Sequence, residues 1–393
     1  MQVGATSAAT TADLRRRNLL LLTEALRVGS SMSRLELAEA TGVSVASVHR
    51  LTSELIDAGW LEQADPDPVT PTRQGRPATR LRFRDELAAI VGVDVGSETT
   101  RISVASLSGV QERVVEVATA DLKDDPGAHL ARAIRRLPGG LATPGRPLAA
   151  VAVGVPSIVD GDGVLVRPWR KEAWTALPLR AQLSRRLGCV VDVAQDNHFS
   201  ALAEASPGGS APGARAVLVV ELGIGIGAGL ALDGRLVTGA HGGVGRLMAW
   251  PCSPPRGGGE LGSSLGELLT AEGLVLQYRW RGGSRDVSGG ADLLEAAARR
   301  DSVAATVVRW AGRQLTEVLQ RLAMMLDPDV IVLGGGLGRG LHHAGSLLEG
   351  MASPSGLPLE VRSSTLANDA VVTGALLTAR ARVPDWIENR VER

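Results

Sequence analysis

The chain has 393 residues, which exceeds one ordinary domain and indicates two or three structural units. Its formal net charge is +0, so a general basic coat for nucleic acids is excluded and any contact with DNA has to be local. Two cysteines exclude a disulfide framework, and the lack of a signal-peptide pattern or a membrane-length apolar run predicts a cytoplasmic protein without membrane contact.

The first part of the chain predicts a short tail and two helices. Residues 1–12 are small and polar and predict a mobile tail. Leucines recur at helical spacing between Leu14 and Val28, which predicts the first helix. Ser33 and Glu36 have the spacing of a capping box and predict a second helix that ends near Ala40.

A third helix and a hairpin follow. Ser44 is placed to cap a helix with an apolar stripe that ends at Gly59. Two strands are predicted at 60–62 and at Thr79 to Phe83, with a proline-broken loop between them. Three short helices followed by a hairpin are typical of a winged helix-turn-helix domain, which we place at residues 13–84.

The third helix has the composition of a recognition helix. Its outward positions are small enough to approach base edges or polar enough to read them, and Arg50 can reach a guanine with two donors. The predicted DNA contacts on this helix are Ser44, Ala46, Ser47, His49 and Arg50. Wing residues Arg73, Gly75, Arg76 and Pro77 form a basic turn suited to a minor groove. The alternatives are a solvated helix of a protein-binding winged helix and a plain polar loop, and the arginines at 15–17 are assigned neither to phosphate contact nor to solvation.

From about residue 87 the sequence alternates β-branched strands, glycine-rich turns and amphipathic helices, which predicts a mixed α/β body. We place its first lobe at 87–200 and its second at 201–393, with the C-terminal helix returning to the first lobe. Strands are predicted at 90–95, 101–106, 149–155, 190–193, 216–222, 229–231 and 330–333, and helices at 128–137, 262–278, 293–326 in pieces and 369–381. Residues 206–214 are predicted to be an exposed connection.

Several ordered motifs carry a family resemblance. Residues 14–83 end in QGRPATRLRF and are followed by IVGVDVGSETTRISVASLSG, and this arrangement resembles the regulators of the ROK family (repressor, open reading frame, kinase). The resemblance implies a winged head on a two-lobed sugar-kinase body of the actin and hexokinase type. It also implies a homodimer or homotetramer that binds palindromic double-stranded operators and responds to a sugar.

Compared with the kinases of that family, this chain has altered nucleotide loops. The first loop, DVGSET, keeps Asp94 and Gly96 but has Glu98 where the resemblance implies a threonine facing the phosphates. The second loop, LGIGIGAG, has Ile224 where a hydroxyl residue is implied. We interpret the remaining nucleotide-loop residues as vestigial, namely Asp94, Gly96, Gly223, Gly225, Gly227, Gly334, Gly335 and Gly336. Because a lost donor lowers a rate about a hundredfold, we expect no kinase activity and no cofactor.

The sugar-facing motifs are altered as well. The segment AQDNHFSALAEA keeps the family's aspartate as Asp196, with Gln195 and His198 where asparagines are implied, and Arg246 stands where the resemblance implies a sugar-binding glutamate. The predicted ligand residues are Asp196, Asn197, His198, Arg246, Glu260 and Trp169. The alternatives are a helix-capping role for Asp196 and a choice of Glu267 in place of Glu260. If Arg246 and His198 both face the cleft, an anionic sugar is favoured; an internal pair of Arg246 with Asp196 or Glu260 is the alternative.

The family's zinc run has no counterpart here. The resemblance implies a histidine and three cysteines, whereas this chain has Ala249 and, of the thiols, Cys252 alone, so we expect no metal. We interpret the chain as a DNA-binding transcriptional repressor controlled by a sugar or sugar derivative. The alternatives are a sugar kinase that carries a DNA-binding head and a module that senses a protein partner.

Overall fold

The structure is a computed structural model that describes residues 11–26, 31–64, 79–122, 125–137, 146–168, 174–344, 356 and 359–391. Within these ranges no helix combines the length and the apolar character that crossing a membrane requires. The elements form an N-terminal head with a three-stranded sheet and a body built on two five-stranded sheets.

The head contains the three predicted helices. The Ser33 hydroxyl accepts from the Glu36 N–H at 3.2 Å, and the Ser33 N–H donates to Glu36 Oε2 at 2.7 Å, so the predicted capping box is confirmed. The strands form a sheet of order β1-β3-β2 with antiparallel pairing. The elements are α1 (Thr11–Ala25), β1 (Met32–Ser33), α2 (Arg34–Thr41), α3 (Val45–Asp57), β2 (Leu61–Ala64) and β3 (Arg80–Phe83).

Two predictions for the head need correction. Helix α1 begins at Thr11 and ends at Ala25, three residues earlier at each end than the leucine spacing indicates, so the last two residues of the predicted tail are helical. The predicted wing strands are present, but the turn with Arg73, Gly75, Arg76 and Pro77 lies outside the described residues.

The first body sheet has the strand order β10-β7-β4-β5-β6, parallel from β10 to β4 and antiparallel beyond. Its central strands are buried along almost their whole length. Strand β6 is not among the sequence predictions, because it is an edge strand whose charged and half-exposed residues hide the alternation of a buried strand. The strands are β4 (Ala89–Val95), β5 (Thr99–Ser106), β6 (Gln111–Ala118), β7 (Leu148–Val155) and β10 (Val190–Gln195), with a separate hairpin of β8 (Ser157–Val159) and β9 (Leu165–Pro168).

The second body sheet has the order β13-β12-β11-β14-β15. Strands β11 and β12 form an antiparallel hairpin, whereas β11, β14 and β15 are parallel. The predicted strand at 216–222 is confirmed with the same bounds. The strands are β11 (Ala216–Leu222), β12 (Ile226–Leu232), β13 (Arg235–Leu236), β14 (Val330–Gly334) and β15 (Glu360–Ser363).

Helices cover both sheets. The helix predicted at 262–278 is two helices, because Thr270 caps a new one after a break. The remaining helices are α4 (Pro126–Arg135), α5 (Leu179–Leu187), α6 (Asp196–Glu204), α7 (Leu265–Leu268), α8 (Ala271–Trp280), α9 (Gly290–Ala298), α10 (Ser302–Leu326), α11 (Gly336–Ala344), α12 (Ala370–Arg380) and α13 (Val383–Val391).

Helices α6 and α12 pack against each other, and α6 also contacts strands of both body sheets. Glycines make this packing possible: a Cβ on Gly374 would lie 1.9 Å from the Phe199 carbonyl oxygen, and one on Gly92 would lie 2.7 Å from the Val372 carbonyl oxygen. The backbone of α12 therefore approaches both α6 and β4 more closely than any larger residue would allow.

The C-terminal helices also contact the head. The rings of Trp60 in the head and Trp386 in α13 meet edge to face with centroids 5.1 Å apart. Arg380 at the end of α12 pairs with Glu24 of α1, and Arg15 of α1 lies 3.6 Å from Glu388. One apolar cluster includes residues of α1, α3, α12 and α13, so head and body share a core.

Candidate functional site

A cleft of about 960 Å³ lies between the two body sheets. Ends of strands from both sheets reach it, together with the N-termini of α6 and α12. Clefts of this kind, where chain segments of two layers meet, are common ligand sites. The polar and loop residues that line it include Asp94, Gly96, Glu98, Arg101, Glu116, Gln195, Asp196, Asn197, Glu221, Gly223, Ile224, Gly225, Gly227, Arg246, Gly335, Gly336 and Asn368.

The structure brings the two altered nucleotide loops to this one cleft. In the first loop the Gly96 N–H donates to the Thr99 carbonyl at 3.1 Å, and exposed Glu98 lines the cleft. In the second loop the Gly223 N–H donates to the Gly225 carbonyl at 2.9 Å, which leaves Ile224 at the tip with 46% of its surface exposed. A carboxylate and a hydrocarbon side chain therefore line the cleft at the two loops that the sequence motifs indicate.

The third glycine motif has a packing role at one position. Gly335 and Gly336 line the cleft, whereas Gly334 does not. A Cβ on Gly334 would lie 2.4 Å from Glu221 Oε1, so the missing side chain makes room for that carboxylate. Gly335 has φ +70°, a left-handed conformation that favours glycine.

Three carboxylates share the floor of the cleft. Burial raises the pKa of Asp94 to about 7, and the negative charges of Asp196 and Glu221 add to the rise. Burial also raises the pKa of Glu221 to about 7 and that of Asp196 to about 6. Burial is the largest cause for all three carboxylates, so the group holds protons near neutral pH that exposed carboxylates would have lost.

Two amides complete the polar lining near Asp196. Gln195 is only 7% exposed, and none of the described residues forms a hydrogen bond with its side chain. Asn197 also lines the cleft, and Gly227 makes room for it, since a Cβ there would lie 2.1 Å from Asn197 Nδ2. Amides of this kind offer both donors and an acceptor to a ligand with hydroxyl groups.

The structure corrects two predicted ligand residues and leaves a third aside. His198 is buried away from the cleft, with Nε2 3.0 Å from the Val244 carbonyl oxygen, and burial lowers its pKa. Glu260 is exposed in a 3-10 turn, Gly259–Leu261, outside the cleft lining. Its alternative, Glu267, accepts from Ser263 and Ser264 and caps α7. Trp169 lies outside the described residues.

Two arginines line the cleft. Arg246 is exposed there, as predicted from its motif. Arg101, which no sequence motif indicates, joins strand β6 to the residues just before α12. Its Nε lies 3.0 Å from Glu116, and its Nη1 lies 2.8 Å from Asp369 and donates to the Asn368 carbonyl at 2.7 Å.

Glu221 is the functional candidate that the sequence analysis missed. It interrupts the otherwise apolar strand AVLVVEL, and a charged residue in a buried strand is a signal that could have identified it. Cys252, by contrast, is buried with its Sγ 3.3 Å from Gln314 Oε1, and burial raises its thiol pKa to about 11.

The third head helix presents a polar surface. Ser44 is its N-cap: the hydroxyl accepts from the Ser47 N–H at 3.3 Å. Ala46, His49 and Arg50 are exposed, and Arg50 lies 3.5 Å from Glu54 one turn later. These residues therefore lie on one accessible helix, while Arg73 and Arg76 are outside the described residues.

Arg15 has a structural role, because its guanidinium group pairs with carboxylates on two other helices. It lies 3.1 Å from Glu54 of α3 as well as near Glu388 of α13. Arg15 therefore connects α1, in which it lies, to α3 and to α13.

Two parts of the chain match the models of known protein families. The model of the ROK family matches residues 90–381, and the model of the IclR helix-turn-helix domain matches residues 25–65. A glucokinase of Halalkalibacterium halodurans is 28% identical over 312 residues, which are 72% of this chain and 92% of the glucokinase.

Relatives that are named as regulators match over a similar share of the chain. The DNA-binding transcriptional dual regulator NagC of Escherichia coli is 25% identical over 320 residues, or 77% of this chain and 76% of NagC. The crystal structure of a ROK family transcriptional regulator, a homologue of the E. coli Mlc protein, has a TM-score of 0.78 at 22% identity. That likeness covers 97% of this chain and 100% of the other, and at this identity it establishes the fold.

Proposed function

The chain belongs to the ROK family, and on that premise we propose that it is a DNA-binding transcriptional repressor controlled by a sugar or sugar derivative, without kinase activity. The family resemblance and the fold class predicted from the sequence are thereby confirmed, because the helix-turn-helix head and the ROK body both match. The relatives named as regulators support the proposal, while the head supplies the means of binding DNA.

The observation that carries the proposal is the position of α12 and α13. Val371 of α12 and Asn368 just before the helix line the cleft, and Arg101 contacts Asn368 and Asp369. The other end pairs with α1 through Arg380, and α13 packs on the head through Trp386. One continuous segment thus contacts both the cleft and the head.

This connection gives a physical route for control. A ligand that contacts the start of α12 differently in two arrangements of the cleft shifts the population between them. Because Gly374 and Gly92 let α12 approach α6 and β4 closely, the helix moves as a rigid unit with little room to deform. Its far end then changes the position of α1 and, through Arg15 and Glu54, of α3.

The DNA side of the proposal places α3 in a major groove. Ala46, Ser47, His49 and Arg50 are its base-facing residues, and the N-terminus of α3 capped by Ser44 faces a phosphate. Arg73 and Arg76 are proposed to reach the neighbouring minor groove. In a homodimer or homotetramer two such helices match a palindromic operator with half-sites about one helical turn apart, or a multiple of it.

Replacing Arg50 with alanine tests the DNA interface. We expect operator affinity to fall roughly 10- to 100-fold, because a bidentate arginine contact with guanine contributes about 1–3 kcal/mol of discrimination. The operator is first selected from random duplexes by the wild-type chain, and affinity is then measured by fluorescence anisotropy at one fixed salt concentration.

Arg299→Ala is the matched control for that experiment. Arg299 is exposed at the C-cap of α9 in the body and pairs with Glu295 at the same four-residue spacing as Arg50 and Glu54, so the same charge and the same type of ion pair are removed. Equal affinity of the two variants would contradict the assignment of α3. Failure of the wild-type chain to enrich any duplex would contradict the proposed function itself.

The kinase alternative is supported by the glucokinase relative and by the retention of Asp94 and Asp196. We expect no ADP formation above background with ATP, Mg²⁺ and a panel of hexoses, since Glu98 repels a triphosphate and Ile224 offers it no donor. An Asp196→Asn variant controls for contaminating kinases, because it removes the cleft aspartate that the family resemblance implies as the base for the sugar hydroxyl. Turnover that is present in the wild type and lost in this variant would overturn the non-enzymatic assignment.

A further inference from the structure

The described lining of the cleft is predominantly acidic. Its ionisable side chains include two arginines, Arg101 and Arg246, and Arg101 already pairs with Glu116 and Asp369. The carboxylates that line it are Asp94, Glu98, Glu116, Asp196 and Glu221. An anionic sugar would bring its charge toward this group, which reverses the preference that Arg246 and His198 suggested, because His198 does not face the cleft.

Three of these carboxylates come from three different elements and line the same cleft. Asp94 is the last residue but one of β4, Asp196 begins α6 and Glu221 lies near the end of β11, where Gly334 makes room for it. Arg101 is the cation that acts on Asp94, and Arg339 acts on Glu221, but neither forms an ion pair with these carboxylates. The fold therefore brings three carboxylates to one cleft, and neither Arg101 nor Arg339 forms an ion pair with Asp94 or Glu221.

An independent feature points to a polar ligand at the same place. The Gln195 side chain is 7% exposed, lines the cleft and has no hydrogen-bond partner among the described residues. This amide is open to the cleft and has donors and an acceptor to offer to a ligand with hydroxyl groups. Asp196 follows Gln195 directly in the chain, which places the amide beside the carboxylate group.

Resting on the proposed function, in which the cleft holds a sugar, we propose that this sugar carries a protonated amino group that lies against Glu221 and Asp94. The ligand class is a free amino sugar, in which hydroxyl groups reach Gln195 and Asn197 while the ammonium group faces the carboxylates. A bound cation favours the ionised form of these carboxylates and forms charge-assisted hydrogen bonds with them.

A metal ion is a poorer occupant for the same carboxylates. Within the described part of the chain, no three side chains of the histidine, cysteine, aspartate and glutamate type lie close enough together to hold one. An ammonium group needs only one or two acceptors at hydrogen-bond distance, and the remaining hydroxyls of a sugar fill the rest of the cleft.

The test compares matched sugars on the full chain by isothermal titration calorimetry at pH 7. Glucosamine, galactosamine and mannosamine are each measured beside the parent hexose and the N-acetyl derivative, and glucose 6-phosphate is included as an anion. At least one amino sugar is expected to bind roughly 10- to 100-fold more tightly than its parent and its N-acetyl derivative, in which the nitrogen is part of an uncharged and larger amide. The proposal is overturned if no amino sugar shows this preference, if glucose 6-phosphate binds best, or if no sugar binds.

Glu221→Gln tests which side chain provides the preference. The change keeps the shape and removes the charge, so the ratio of the amino-sugar affinity to the parent-hexose affinity, measured on the same variant, should fall to within about threefold of one. Glu260→Gln is the control, because Glu260 is exposed on the same lobe and does not line the cleft. If circular dichroism shows that Glu221→Gln does not fold, Asp94→Asn is the second variant to measure. An unchanged preference for the amino sugar in a folded variant would overturn the assignment.

Operator binding by the same preparation separates the two proposals. A chain that binds its selected operator but shows no amino-sugar preference refutes the ligand class alone. A chain that binds no duplex refutes the proposed function, whatever its behaviour toward sugars.

Discussion

Replacing Trp386 with alanine is expected to release the head from the body. Trp386 is buried, meets Trp60 edge to face and lies under the Arg390 guanidinium, 4.0 Å from the ring centroid. Truncation of a buried tryptophan costs about 3–5 kcal/mol, and here most of that loss falls on the contact between the two units. Hydrogen exchange should show faster exchange in α1 and α13, and calorimetry should resolve two unfolding transitions.

Trp280→Ala is the matched control for this change. Trp280 is 42% exposed on α8, with the Arg281 guanidinium 5.2 Å from its ring centroid, so the same residue type and a similar cation contact are removed from a surface position. We expect a loss of less than about 1 kcal/mol and unchanged exchange in α1. Equal effects of the two substitutions would mean that the head is not held by α13.

The second large effect is expected at Gly374. A Cβ there would lie 1.9 Å from the Phe199 carbonyl oxygen, and backbone atoms of a packed helix cannot move aside as a flexible side chain can. Gly374→Ala should therefore destabilise the body by about 3 kcal/mol or more and lower the melting temperature by about 6 °C or more, despite the better helix propensity of alanine.

Gly338→Ala provides the comparison within another helix. Its Cβ would meet Leu222 Cβ at 3.4 Å, an ordinary contact, so alanine should be tolerated or should stabilise α11 by up to about 1 kcal/mol. A Gly374 variant as stable as the Gly338 variant would show that α12 and α6 can separate, which would remove the rigid connection between the cleft and the head.

Local signals were sufficient to predict much of the fold. The capping box of Ser33 and Glu36 and the cap at Ser44 are confirmed. They could be predicted because each is a contact between residues three apart, and this spacing is visible in the sequence. The buried strand at 216–222 is confirmed because its apolar run ends at a glycine-rich turn. Edge strand β6 and the split between α7 and α8 were missed, because their residues do not follow a single period.

The cleft could be predicted only in part. Asp94, Asp196 and the glycine loops came from motifs, and the structure brings them together in one cleft. His198 was wrong as a cleft residue because neighbouring helix positions point in different directions, and its ring is turned toward Val244. Glu221 and Arg101 depend on strands that become neighbours only in the folded sheet, so no local pattern relates them to Asp196.

The ring of Trp60 against Trp386 has a practical consequence for protein engineering. A chimaera that transfers residues 11–84 to another sugar-binding body would expose the face of α1 that α13 covers, together with Glu24 and Arg15, which are now paired with C-terminal residues. The transferable unit is therefore discontinuous in the gene: a functional graft has to include the coding segment for Ala370–Val391 along with the one for the head.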